Sequence, residues 1–253
     1  MTVTDAARPD TISAGTVRPN EPGRDRAELV AARILTGALA LAVAGVALQT
    51  VVDLVDFWAL DREVELLLAD SDVGVFAWAS VVATFTAALG ALLLSSVATG
   101  SRNLLWFVAA TTAYMSLDDQ VMLHERAGDL ADRAEGLALW EPARLLWPAL
   151  YLPLLAGLFL ALWRCAGRLP ARPGRFVVAG LALLAAAVVL ELLSAAVIRA
   201  GFDRGSVLYE LEVVLEEGAE LAGWILIAGA LLSAFVLRLR DTAPTLTVRP
   251  PIT

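Results

Sequence analysis

The amino-acid sequence predicts an all-α, polytopic membrane helix bundle with six transmembrane helices and both termini in the cytoplasm. Three observations predict it. Hydrophobic residues make up 58% of the 253 and mean hydropathy is +0.71, more than a soluble core of this length would bury. Six apolar windows each reach about 20 residues, the length that spans a hydrocarbon core of about 30 Å. The arginines are shared unequally between alternate connections, which sets the orientation.

Residues 1–26 are polar, rich in Pro, Asp and Arg, and lack a hydrophobic period, so they read as a disordered cytoplasmic tail. Ala42-Val43-Ala44 imitates a leader-cleavage site. The segment before it is too long and too mixed in charge for a leader, and the first apolar window reads as a retained helix. The transmembrane domain covers 27–240, with helices at about 29–52, 74–98, 104–124, 145–165, 176–198 and 207–238. The first, second and fourth windows carry almost no charge at their centres. The third, fifth and sixth carry carboxylates. Strands are excluded because the apolar runs are continuous rather than alternating. Ala83, Ala87, Ala91 and Ser95 recur four apart, as do Ala219 and Gly223, a spacing that lets helices approach closely in lipid. Residues 241–253 form a second cytoplasmic tail.

All 19 basic residues are arginine. Thirteen fall on the side of the termini, including Arg33, Arg102, Arg168, Arg172 and Arg238. Six fall on the other side, among them Arg62, Arg126 and Arg204. The richer side is cytoplasmic. An Ala/Arg-rich, lysine-free chain points to a GC-rich bacterial genome and to the plasma (inner) membrane. Without lysine there is no Schiff-base cofactor and no Walker-type phosphate loop. A single cysteine, Cys165, excludes an intrachain disulfide and a thiolate cluster, and a single histidine, His124, excludes three-histidine zinc sites. The net charge of −8 argues against nucleic acid as a partner. The lipid bilayer is the one partner the composition requires; an oligomer or a partner subunit is compatible with it.

The acids gather on the outer side. The connection after the first window opens with Asp53 and Asp56 and continues through Asp61 to Asp72. Continued as helix, Gln49, Asp53 and Asp56 share one face. The third helix brings Asp118, Asp119, His124 and Glu125 to its outer third, with Thr111, Tyr114, Asp118 and Glu125 within about 60° of one another. The fifth places Glu191 in its outer half. The sixth places Glu216, Glu217 and Glu220 there, whereas Glu210 and Glu212, ahead of its apolar stretch, read as solvated. An ionised acid in the hydrocarbon core costs about 2.5–3.5 kcal/mol even on insertion scales, so such residues face a polar cavity or a partner.

Asp118, Asp119, His124, Glu125, Glu191, Glu216, Glu217 and Glu220 form an oxygen-rich candidate metal set, suited to Mg²⁺, Mn²⁺, Ca²⁺ or iron. Gln49, Asp53, Asp56 and Tyr114 form a supporting polar face. The pairs of Glu-x-x-His motifs found in carboxylate-bridged di-metal bundles are absent. Three functions suit this pattern. One is a transporter or permease whose outer vestibule binds a divalent cation or protons. Another is a membrane-embedded metal-dependent enzyme acting on an outer-leaflet lipid or lipid-linked substrate. The third is a non-catalytic subunit or sensor.

Overall fold

The computed structural model describes residues 22–59, 64–68, 71, 74–123, 126, 146–199 and 206–242. Six α-helices succeed one another along the chain: α1 (Pro22–Ala59), α2 (Val75–Val97), α3 (Arg102–Val121), α4 (Leu146–Ala166), α5 (Ala171–Arg199) and α6 (Val207–Thr242). A short 3₁₀ turn, Glu65–Leu67, lies between α1 and α2. No strand occurs among the described residues. Four helices, α1, α2, α5 and α6, are long and apolar enough to cross a membrane. The apolar part Leu152–Ala166 of α4 is shorter, and α3 carries Asp118 and Asp119 in its last turn.

Three of these helices outrun their apolar windows, α5 by starting at Ala171 and the other two at the segments expected to be tails. At its start, α1 begins with Pro22, whose fixed φ suits a first helical position, and has Asp25 in the first turn against the positive end of the dipole. The helix therefore enters the segment expected to be a tail; residues 1–21 lie outside those described. At its other end α1 runs on to Ala59, so Asp53 and Asp56 belong to the helix rather than to a connection. The polar residues that lower hydropathy there are buried rather than solvated. Similarly, α6 continues to Thr242, and the rest of the expected second tail, 243–253, is not described.

The centre of the bundle is α6: 72% of its apolar stretch is buried, against 17% for α1. Around it stand α1, α2 and α5, while α3 packs on α2, and α4 closes the side between α3 and α5. Small residues set these distances, as expected where lipid supplies no hydrophobic drive between helices. Ala83, Ala87, Ala91 and Ser95 are all buried on α2. A Cβ placed on Gly180 of α5 would lie 2.6 Å from Ile227 Cγ1 and 2.7 Å from the Gly223 carbonyl oxygen of α6. One placed on Gly229 of α6 would collide with Ala38 Cβ of α1. Among the interhelical hydrogen bonds, Ser233 Oγ donates to the Ala31 carbonyl at 3.2 Å and Ser116 Oγ to the Val81 carbonyl at 3.0 Å.

The two ends differ in character. At one, Arg240 of α6 pairs with Glu28 of α1 at 3.1 Å, and Arg238 donates to the carbonyl of Arg168 in the α4–α5 turn at 3.4 Å. The first turns of α1 and the last turns of α6 thus lie together at the arginine-rich end. Exposed tryptophans mark both ends of the bundle: Trp106 and Trp163 near the arginines, Trp58 and Trp78 at the far end. Tryptophan at two levels of a helical surface is the pattern of membrane–water interfaces.

Candidate functional site

At the far end the carboxyls assemble, beginning on α1. Seven described residues of α1 are buried: Ala31, Leu35, Ala38, Ala42, Gln49, Asp53 and Asp56. Their steps of three, four and seven draw one seam along the helix. The seam faces α6, where Glu28 meets Arg240, Ala31 meets Ser233, Ala38 meets Gly229, and Val46 meets Gly218. It is apolar toward the arginine end and turns polar at Gln49. Extending the same register brings Asp53 level with Val213 and Val214, and Asp56 level with Glu210. Among the described residues, neither the side-chain amide of Gln49 nor either oxygen of Asp56 has a hydrogen-bond partner.

Glu210 is itself buried, which corrects the expectation that it stands in water. Its place has a local cause. The backbone N–H of Tyr209 donates to Ser206 Oγ at 3.3 Å, and an acid in the first turn of α6 meets the positive end of its dipole. Two turns along, the carboxyl groups of Glu216 and Glu191 of α5 come close enough to interact, with Glu212 and Glu217 also near Glu216. One turn further, Glu220 Oε1 accepts a hydrogen bond from Ser80 Oγ of α2 at 3.2 Å.

On α3, Asp118 is buried, and Asp119 and Tyr114 are half-buried. The helix stops just beyond them. Met122 adopts the left-handed conformation (φ 55°, ψ 43°), and its N–H caps the Asp118 carbonyl at 2.7 Å. A left-handed non-glycine residue costs roughly 1–2 kcal/mol. Met122→Gly should therefore stabilise the folded protein by about 1 kcal/mol, measurable as a higher midpoint of unfolding in detergent. His124 and Glu125 lie outside the described residues.

The carboxyls occupy the half of the bundle away from the arginine end but spread in depth. By the α1–α6 register, Asp53 is level with Val213 and Val214, whereas Glu220 lies six or seven residues, about 10 Å, nearer the arginines. They are also divided among neighbours rather than drawn to one point, since α2 stands between α3 and α6. Among the described residues, no three of His, Cys, Asp and Glu converge as a set able to hold a metal ion. Chemically, the arrangement offers carboxyl, amide and hydroxyl groups along α6, all able to take part in hydrogen bonds, with the carboxyls able to hold and release a proton.

Sequence reasoning leaves three of these groups out of the site: Ser80, and Glu210 and Glu212, which it reads as solvated although the carboxylate oxygens of both are buried. A serine in an apolar helix carries no local signal, and Ser80 is found only through its contact. For Glu210, a signal was present: it lies seven residues before Glu217, on the same face of α6.

The family model described as Domain of unknown function (DUF8692) matches residues 29–234, a stretch that reaches from α1 to α6. The chain belongs to this family. No curated protein and no solved structure gives a significant match to it. Within the matched stretch fall all the carboxyls described above, from Asp53 to Glu220.

Proposed function

We propose that this chain is a bacterial plasma-membrane protein of six spans, both termini cytoplasmic, that binds and releases protons in its carboxyl-lined outer half as a transporter or permease does. The approach of the Glu191 and Glu216 carboxyl groups to one another carries the reading. Two carboxylates about 4 Å apart repel by about 4 kcal/mol at an effective dielectric of about 20. Holding them together therefore calls for a proton, or a cation in its place. A proton needs only the pair, whereas a divalent cation asks for several oxygens from more than two groups. Glu212, Glu217 and Glu220 then continue the polar line along α6, as proton relays in membrane proteins do.

The test is flux. Protein reconstituted into vesicles with an entrapped pH dye should acidify the lumen under an imposed potential, and Glu216→Gln should slow this at least tenfold. Should vesicle pH stay flat while Mn²⁺, Mg²⁺ or Ca²⁺ raises the thermal midpoint of the wild type but not of Glu216→Gln, the site holds a divalent cation instead. A flat pH with no cation effect removes the transport reading and leaves an enzyme or a non-catalytic subunit.

Orientation has its own test. Reporter fusions after Gly167 and Asp241 should read cytoplasmic, and fusions near Asp70 and Gly136 extracytoplasmic. The opposite pattern would move the carboxyls to the cytosolic face.

A further inference from the structure

A cleft of 630 Å³ opens at the arginine-rich end, between the first turns of α1, the α4–α5 turn and the last turns of α6. It is large enough for a small ligand and lies outside the carboxyl-lined half. Arg168, Arg172, Arg238 and Arg240 line it, together with Glu28 and Asp241. Four guanidinium groups against two carboxylates leave an excess of two positive charges.

Among the described residues that excess is not spent internally: the ion pairs here are those of Arg240, with Asp241 at 2.7 Å and Glu28 at 3.1 Å. Arg238 donates to the Arg168 carbonyl, an uncharged acceptor. The start of α5 adds to the field. Its first helical bond runs from the Gly174 N–H to the Pro170 carbonyl at 2.9 Å, so the amides of Ala171 and Arg172 precede it at the positive end of the dipole. The opposite wall is apolar, with Ala31, Leu35 and Leu237 running down toward the hydrocarbon level.

We propose that this cleft binds the phosphate of an anionic phospholipid headgroup, with Arg168 and Arg172 as its main contacts. Depth argues for lipid over a soluble anion. The cleft sits where arginines end the apolar helices, at the level of exposed Trp163, and its apolar wall suits the first carbons of an acyl chain. Basic pockets between helices at such a level hold anionic headgroups. Arginine suits the task because its planar fork can engage two phosphate oxygens at once. The proposal rests on the membrane location alone and is independent of proton binding.

Thermal unfolding of the full chain in mixed micelles tests it, with phosphatidylglycerol, phosphatidylcholine or inorganic phosphate added separately. Phosphatidylglycerol should raise the midpoint by several degrees over phosphatidylcholine, because it binds the folded form alone. The double variant Arg168→Gln/Arg172→Gln should lose more than half of that increment while keeping its midpoint in phosphatidylcholine. Arg168→Lys/Arg172→Lys, which keeps the charge but not the fork, should lose less of it than the Gln variant, and also serves as the check on folding. Arg102→Gln, an exposed arginine at the same end but outside the cleft, should retain all of it. Equal loss in Arg102→Gln, no loss in the double Gln variant, or the same increment from inorganic phosphate alone would each overturn the proposal.

Discussion

Leucine at Gly180 should prevent the bundle from assembling, and alanine there should lower its stability by about 1–3 kcal/mol. The α5–α6 contact leaves no room for even a methyl group. The added Cβ would lie 2.6 Å from Ile227 Cγ1 and 2.7 Å from a backbone oxygen, that of Gly223. Ile227 is wholly buried and the backbone of α6 is the axis of the fold, so neither can yield cheaply. Separating α5 from α6 would also part Glu191 from Glu216, so proton uptake should fall along with stability. Gly37→Ala is the control. Nothing lies within 4 Å of a Cβ at Gly37, and its midpoint of unfolding should stay level or rise slightly, since alanine favours helix over glycine. Denaturant unfolding in mixed micelles distinguishes the three variants.

That contact shows where sequence reading works and where it stops. The apolar windows locate six helices because a bilayer demands about 20 apolar residues in a row, and α2 and α4 fall almost where composition puts them. The small residues of α2 were legible as a packing face for the same reason. The central place of α6 was not. Its outer turns carry Glu210, Glu212, Glu216 and Glu217, which makes it look the most solvated helix. Burial depends on neighbours, though, and the face of those turns that carries Glu210, Val213 and Val214 is buried at the polar end of the α1 seam, while Leu208, Leu211 and Leu215 are exposed.

The site shows the same division. Spacing alone put Gln49, Asp53 and Asp56 on one face, because 100° per residue is a property of every α-helix. Hydropathy nevertheless ended the first window at 52, just short of seeing that face completed, since averaging treats an inward aspartate and a solvated one alike. Neither the Ser80–Glu220 bond nor the Glu191–Glu216 pair could be read from the chain. Each joins residues on different helices, and no periodicity relates them.

Asp56→Leu should stabilise the protein by about 1–4 kcal/mol, the range for replacing buried ionic groups with apolar side chains, less what the larger leucine costs in repacking, while impairing the proposed proton uptake. The expectation comes from the seam. Asp56 is fully buried, and among the described residues neither of its oxygens has a hydrogen-bond partner. A carboxyl in that setting costs free energy in either protonation state, through desolvation if charged and through an unmet donor and acceptor if neutral. The register also sets it level with Glu210, so charge on both would add repulsion. Leucine removes these costs and keeps the apolar half of the seam, from Ala31 to Ala42, as it is. A residue so placed has no reason in stability, and residues that oppose stability mark functional positions. Unfolding midpoints of Asp56→Leu and Asp56→Asn, set beside vesicle acidification by each, decide the matter. A higher midpoint with lost uptake assigns Asp56 to the proton line. A midpoint that falls in both variants would instead make Asp56 a structural residue, held by a contact that leucine and asparagine cannot replace.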